Sequence, residues 1–395
     1  MQAKVESKQF FTKKSLRTTS SKFKNLCQIN LLLLMAIAFS SCQTSSSSIP
    51  QDSTETRVDT QLVLNNAVLE QSNREDNTIW KIKADNIVYS EDKKTAVLDR
   101  VVGNLLQDGK IILKISAKEG EVKDNGNIVI LKENIFASDP RNGSVMKSNL
   151  IEWRPQESLL LIKNNLTAIH PNLEVDAKRG KYFTNTESLE IEENVVANTL
   201  EPSLQLKSDR LVWQIDRDKI ISPGAVEIVR YNEEETVTDR LVSDRGEVNL
   251  ATNTATLNDN IELISLQPNI QVASQSLIWN YQQRVGKTDL PIQILDRDRQ
   301  IILTGNKGEV NLPQQVAKLK DGVEGINKHK ASQLYAHQLT WMIDTEKVEA
   351  TGNVIYEQAD PRARLTGEKA TGTLGNNDIT VSSNGRKQVT SVIDN

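Results

Sequence analysis

KSNLIEW (147–153), KSDRLVW (207–213), ASQSLIW (273–279) and AHQLTW (336–341) are near-copies of one phrase. The tryptophans that close them, Trp153, Trp213, Trp279 and Trp341, recur at intervals of 60, 66 and 62 residues. An earlier copy, ADNIVY (84–89), carries Tyr89 in the tryptophan slot. Self-similarity at a fixed period means one structural unit stacked on itself, which points to a long surface or groove rather than a single pocket. A second phrase falls about half a period away: AKEGEV (117–122), AKRGKY (177–182), SDRGEVNL (243–250), GNKGEVNL (305–312) and GEKATG (367–372). The two phrases together set a step of about 30 residues, repeated some ten times.

A third element shows what the unit is made of: VILKENIFA (129–137), LLIKNNLTA (160–168), LEIEENVVA (189–197), ATLNDNIEL (255–263), AKLKDGVEG (317–325) and VEATGNVIY (348–356). In each copy four apolar positions share one parity, as with Val129, Leu131, Ile135 and Ala137, while polar residues fill the other. That period of two is a strand with one buried face. The Asn- or Gly-containing pair in the middle predicts a bulge that bends the strand. In the copy near 220–228, ISPGAVEI replaces the asparagine phrase, and Pro223 predicts a break. No 3.6-residue spacing persists, so helices are excluded. Prolines at 140, 171, 202, 268 and 361 punctuate equivalent loops. The expectation is all-β: roughly twenty strands in ~30-residue hairpin repeats, forming two antiparallel sheets closed over each other as a sandwich or folded trough.

Composition agrees. The chain has 395 residues, 37% hydrophobic and 25% charged, thin for one globular core but suited to repeats that each bury one face. A net charge of −4 gives no electrostatic case for nucleic-acid binding. The only cysteines, Cys27 and Cys42, precede the repeats, so the body can hold neither a disulfide framework nor a thiolate metal site. Three histidines (His170, His329, His337) have no fixed spacing to carboxylates and read as solvated loop residues. The pair Asp296/Asp298 in LDRDR (295–299) suggests a cation loop, but alternating charges in a polar turn need no ligand. No phosphate-cradling glycine loop and no nucleophile constellation is present, so the expectation is a non-enzyme without cofactors.

The N-terminus reads as an address. Seven basic residues between Lys4 and Lys24 face one acid, Glu6, and are followed by the apolar run LLLLMAIAF (31–39) and SSC ending at Cys42. The run is about half of the ~20 residues that span a bilayer, so it reads as a signal peptide (1–41) and not a membrane helix. Cys42 after Ser40-Ser41 resembles a bacterial lipobox, in which the cysteine is lipidated, although Phe39 stands where leucine is usual. QTSSSSIPQDSTETR (43–57) then reads as a polar spacer within a tether at 42–58, the alternative being simple secretion with an incidental free cysteine. The repeats occupy 59–380, with two sub-halves meeting near 220–240, and 381–395 is a tail.

The alternating phrases, with ADNIVY (84–89) and the N-I-x-x and N-V-x-A turns at 134–137, 194–197 and 260–263, resemble the lipopolysaccharide-transport jellyrolls, the OstA-like LptA and LptC family. The resemblance covers about residues 60–375 and is nearest to long LptC proteins of the cyanobacterial type. It implies an elongated, twisted β-jellyroll, two antiparallel sheets folded into an open V-shaped trough whose interior holds lipopolysaccharide acyl chains, periplasmic and anchored to a membrane, the inner one before the outer. It also implies as partners an inner-membrane ABC transporter of LptBFG type and an LptA-like or outer-membrane LptD-like jellyroll, joined edge to edge by strand addition. Under it the candidate groove is Ile87, Tyr89, Ile151, Trp153, Leu211, Trp213, Leu277, Trp279, Leu339 and Trp341; without it, the same residues simply fill a closed core. The segments LVLNNAVLE (62–70) and DITVS (378–382) are candidate docking edges. Two other readings stay open: a non-transport envelope scaffold or adhesin, and a carbohydrate-active enzyme, which would need recurring paired carboxylates.

Overall fold

The computed structural model describes residues 61–73, 77–373, 375–376, 378–383 and 389–393. The signal segment, Cys42 and the spacer lie outside them. The described body contains 28 strands and three single-turn 3₁₀ segments, with every strand pairing antiparallel. The count exceeds the expected twenty because several strands are interrupted midway. One break separates Leu159–Asn164 from Leu166–His170; another, at Pro223, separates Lys219–Ser222 from Val226–Tyr231. The ladder itself runs on through 220–240, since Leu204–Gln214 pairs with both of the latter fragments.

The interruptions mark a crease. In Ser188–Thr199 the backbone enters the left-handed region at Glu193 (φ 69°) and Asn194 (φ 55°), and the pairing register shifts between Glu192 and Val195. Before the shift this strand pairs with Arg179–Phe183; after it, with Leu173–Ala177. The same positive-φ pair recurs at Glu133-Asn134, Asp259-Asn260, Asp321-Gly322 and Gly352-Asn353. Asn, Asp and Gly visit that region at least cost, which explains the conserved chemistry of the bulge among the repeats. The five long strands that carry this pair therefore bend at the same level, and one continuous sheet folds into two layers. The first layer holds the segments around the repeated tryptophans, and the second holds the other half of each strand.

Ring contacts prove that the layers face each other. His170 and Trp213 lie three strands apart in the ladder, about 14 Å along the sheet, yet their rings meet edge-on at 5.7 Å. Trp80 and Trp153 meet across the same gap at 6.1 Å. Inside the crease the fold tolerates little bulk. A Cβ on Gly308 would stand 2.8 Å from Ile292 and 2.9 Å from Leu319, and one on Gly180 would stand 2.7 Å from Leu166. The glycine of the second repeated phrase thus marks where the layers converge. The buried apolar side chains of both layers form one cluster.

Candidate functional site

Strand register converts the sequence period into geometry. Tyr89 pairs with Ala96, which pairs with Val122, then Val129 and Trp153. The row continues through Leu160, Tyr182 and Leu189 to Trp213, and through Ile220, Val248 and Ala255 to Trp279. Gly286, Val310 and Ala317 then lead to Trp341. Each aromatic is four strands from the next, about 19 Å at ordinary strand spacing, so the row runs roughly 75 Å across the sheet. Small neighbours accommodate the indoles: a Cβ on Gly286 would stand 3.1 Å from the Trp279 ring.

The four tryptophans are 0–3% exposed. Ile87, Ile151, Leu211, Leu277 and Leu339 are likewise buried beside the row, and Tyr89, near its start, is half-buried against the cluster. The intervening outward positions differ: Ile278 is 52% exposed, whereas Glu152 is covered by Arg154 and Lys163, which donate to its carboxylate at 2.8 and 2.5 Å. The facing layer contributes small residues such as Ala137, Ala168 and Ala197. Between the layers an apolar cavity of about 30 Å³ is lined by Trp279, Tyr281, Leu206 and Ile228 among others, room for a water but not for an acyl chain. Burial pushes the Tyr281 phenol up to about 12. The indole N–H groups of Trp153 and Trp341 are buried with no acceptor among the described residues, an unusual state for groups that ordinarily find one.

Opposite the crease, the mouth of the fold is closed by three clasps, each built on a buried aspartate of the second layer. Asp139 accepts from the Arg141 guanidinium (2.9 Å to Nε) and from the Tyr182 hydroxyl of the first layer (2.6 Å). Arg141 also donates to the first-layer Thr184 carbonyl and pairs with Glu187 at 3.2 Å. Burial opposes the Arg141 charge, but the hydrogen bonds and charge of Asp139 outweigh it and raise its pKa. Burial and then the Asp139 hydrogen bond push the Tyr182 phenol far above its ordinary value. The second clasp is a two-pronged pair from first-layer Arg284 to Asp239, at 2.9 and 2.7 Å. In the third, Arg299 bridges Asp296 (3.0 Å) to first-layer Glu346 (2.8 Å).

Several residues fall differently from their sequence reading. His170 is not a solvated loop residue; it ends a strand and packs on Trp213. The LDRDR turn, read from sequence as a polar turn that needs no ligand, has Asp296 accepting from the backbone N–H groups of Asp298 and Arg299 and from the Arg299 side chain. No cluster of metal-binding side chains occurs among the described residues. Trp80 escaped the sequence reading altogether because it sits in the second-layer half of its strand, outside the tryptophan period. Its signal was the alternation Trp80, Ile82, Ala84 within Thr78–Tyr89. The clasps at Asp139 and Asp296 were signalled only by an arginine two or three residues after an aspartate at a turn. The edge of Val63–Asn73 away from Thr78–Tyr89 has no partner strand among the described residues, and Asp378–Ser382 and Thr390–Ile393 each pair only with Arg362–Thr373.

A single antiparallel sheet folded over a continuous apolar interior, with unpaired edges at both ends among the described residues, defines an elongated β-jellyroll. A family model described as lipopolysaccharide-assembly, LptC-related, matches residues 29–160 and 226–328, more than half of the chain. The chain belongs to this LptC-related family. No individual curated protein matches it. Membership gives it a role in lipopolysaccharide transport in the cell envelope, as part of a transport scaffold family and not an enzyme family. No helix among the described residues is long and apolar enough to cross a membrane.

Proposed function

We propose that the chain carries lipopolysaccharide acyl chains along its interior, receiving them from an inner-membrane ABC transporter of LptBFG type. It passes them to an LptA-like or LptD-like jellyroll added at a free edge. The N-terminus is held at the inner membrane by a lipid on Cys42. The observation that carries this reading is the unbroken apolar row from Tyr89 to Trp341, which runs from strand to strand along the direction in which partner sheets would stack. Burial of an acyl chain against it would be worth about 0.8 kcal/mol per methylene. The unpartnered indole N–H groups of Trp153 and Trp341 support it, because ester and amide oxygens of an acylated lipid would satisfy them. Transport then requires the two layers to part at the mouth, since the interior is packed shut.

That packing favours a second reading, a closed envelope scaffold in which the tryptophans are core alone. Photo-crosslinking amino acids at Trp153, Trp213 and Trp279 separate the two. Lipopolysaccharide captured in cells from these inward sites, and not from the outward Ile278, supports a conduit. Capture only from Ile278 refutes it. Separately, a Cys42→Ala protein that stays fully membrane-associated refutes the lipid anchor.

A further inference from the structure

One outer row of the second layer changes character along its length. Its first six positions, in cross-strand register, are Val68, Lys83, Val102, Ser116, Phe136 and Lys147. Followed further, the same row meets Asp176, Glu227, Glu262 and Glu324, with Lys207 as its one cation. In the first six strands Val68, Val102 and Phe136 are 57%, 55% and 43% exposed. Lys83 and Lys147, with Lys114 in the adjacent row, are exposed and make no ion pair among the described residues. Most other cations of the outer surface are paired; Lys81, Arg100, Lys118 and Lys132 each hold a carboxylate.

We infer that this face, the outer side of the second layer over the first six strands, lies on an anionic lipid bilayer surface. Ammonium groups free of protein partners are available for headgroup phosphates, while valine and phenylalanine side chains reach the boundary of the acyl region. Lysine together with exposed apolar side chains is the composition of a membrane-surface face; the core of a protein–protein interface is depleted of lysine. The acidic remainder of the row is repelled by the same surface, so the charge pattern points the rest of the body away from it. The face also belongs to the strands that follow the N-terminal segment directly in sequence. The inference stands apart from lipid transport through the interior and from the Cys42 anchor.

Flotation of the mature full-length chain carrying Cys42→Ser with vesicles tests it without a lipid anchor. Vesicles of phosphatidylcholine with phosphatidylglycerol should bind the protein, and phosphatidylcholine alone should not. High salt should release it. Each lysine near such a surface is worth about a fivefold change in partitioning, so Lys83→Gln/Lys147→Gln should weaken binding by about 25-fold. Val102→Ser/Phe136→Ser should weaken it as well. Lys318→Gln, on an exposed position of the first layer, should change nothing. These exposed substitutions should leave the far-ultraviolet spectrum unchanged, which separates lost binding from lost folding. Equal binding to neutral vesicles, an unaffected lysine double variant, or no vesicle binding overturns the inference. Crosslinking from Val102 to a protein but not to lipid would assign the face to a protein partner instead.

Discussion

Arg284→Met tests whether the mouth is held by its clasps. Methionine keeps an unbranched apolar stem and removes only the guanidinium. Arg284 spans the layers to Asp239 with two hydrogen bonds of 2.9 and 2.7 Å and donates to the Gln267 carbonyl at 3.2 Å. The two side chains are 17% and 4% exposed, so the variant strands a carboxylate away from water. Removing one partner of a buried pair costs roughly 3–5 kcal/mol. Two features lower that figure. Thr238 still donates to Asp239 at 3.2 Å. Arg230, whose pKa is depressed by burial and then by the Arg284 charge, is freed from that repulsion close to Asp239. The expected loss is therefore at the lower end, about 3 kcal/mol. Because stacked units open locally, native-state hydrogen exchange in Val237–Ser243 and Thr254–Leu266 is the appropriate assay. Asp239→Asn in the Arg284→Met background should recover a large part of the loss, since the unpaired charge is gone. A single-variant loss below about 1 kcal/mol, or a double variant as costly as the sum, would refute the clasp argument.

Three further outcomes follow from the same geometry. Glu152 has its carboxyl held below the ordinary 4.5, chiefly by the Lys163 hydrogen bond with help from Arg154 against partial burial. A depressed folded pKa contributes stability above the unfolded value that is lost as pH falls through the folded one, so Glu152→Gln should lower stability at neutral pH and flatten the acid limb of a stability–pH curve. An unchanged acid limb would dismiss the pair. Gly308→Ala should cost about 1–3 kcal/mol by overpacking the crease, as read by chemical denaturation. Gly224→Ala, whose Cβ would meet nothing within 4 Å, is the control and should be near neutral. Trp153→Ala should cost about 3–5 kcal/mol, towards the lower value because an unsatisfied N–H leaves with the ring; a loss under about 1 kcal/mol would mean the layers are not packed there.

Much of the fold was legible because β structure writes itself locally. The period of two exposes a buried face, and the Asn- or Gly-containing pairs name the bulge because few residues accept positive φ. The tryptophan period was legible for a topological reason: four antiparallel strands of similar length return the chain to the same level of the sheet. Tyr89 was placed correctly in that slot for the same reason. Trp80 was missed because it occupies the other half of a bent strand, where the period does not apply. His170 was misread because proline follows it, and nothing local reveals that Trp213 stands across the gap.

The clasps show where local reading ends. Arg141 and Glu187, Arg284 and Asp239, and Arg299 and Glu346 are 45 to 47 residues apart, all but Asp239 in turns that the sequence marks only as polar. Alternation, bulge chemistry and repeat length are properties of a strand and its immediate neighbours, so the sequence by itself determined the all-β class, the repeat and the shared apolar face. Which half of each strand meets which half of another depends on the angle at the crease, the sum of many small backbone choices and glycine contacts. Only the tertiary structure decided that the two layers close into a packed interior, that charged pairs seal its mouth, and that one outer end is left cationic and apolar.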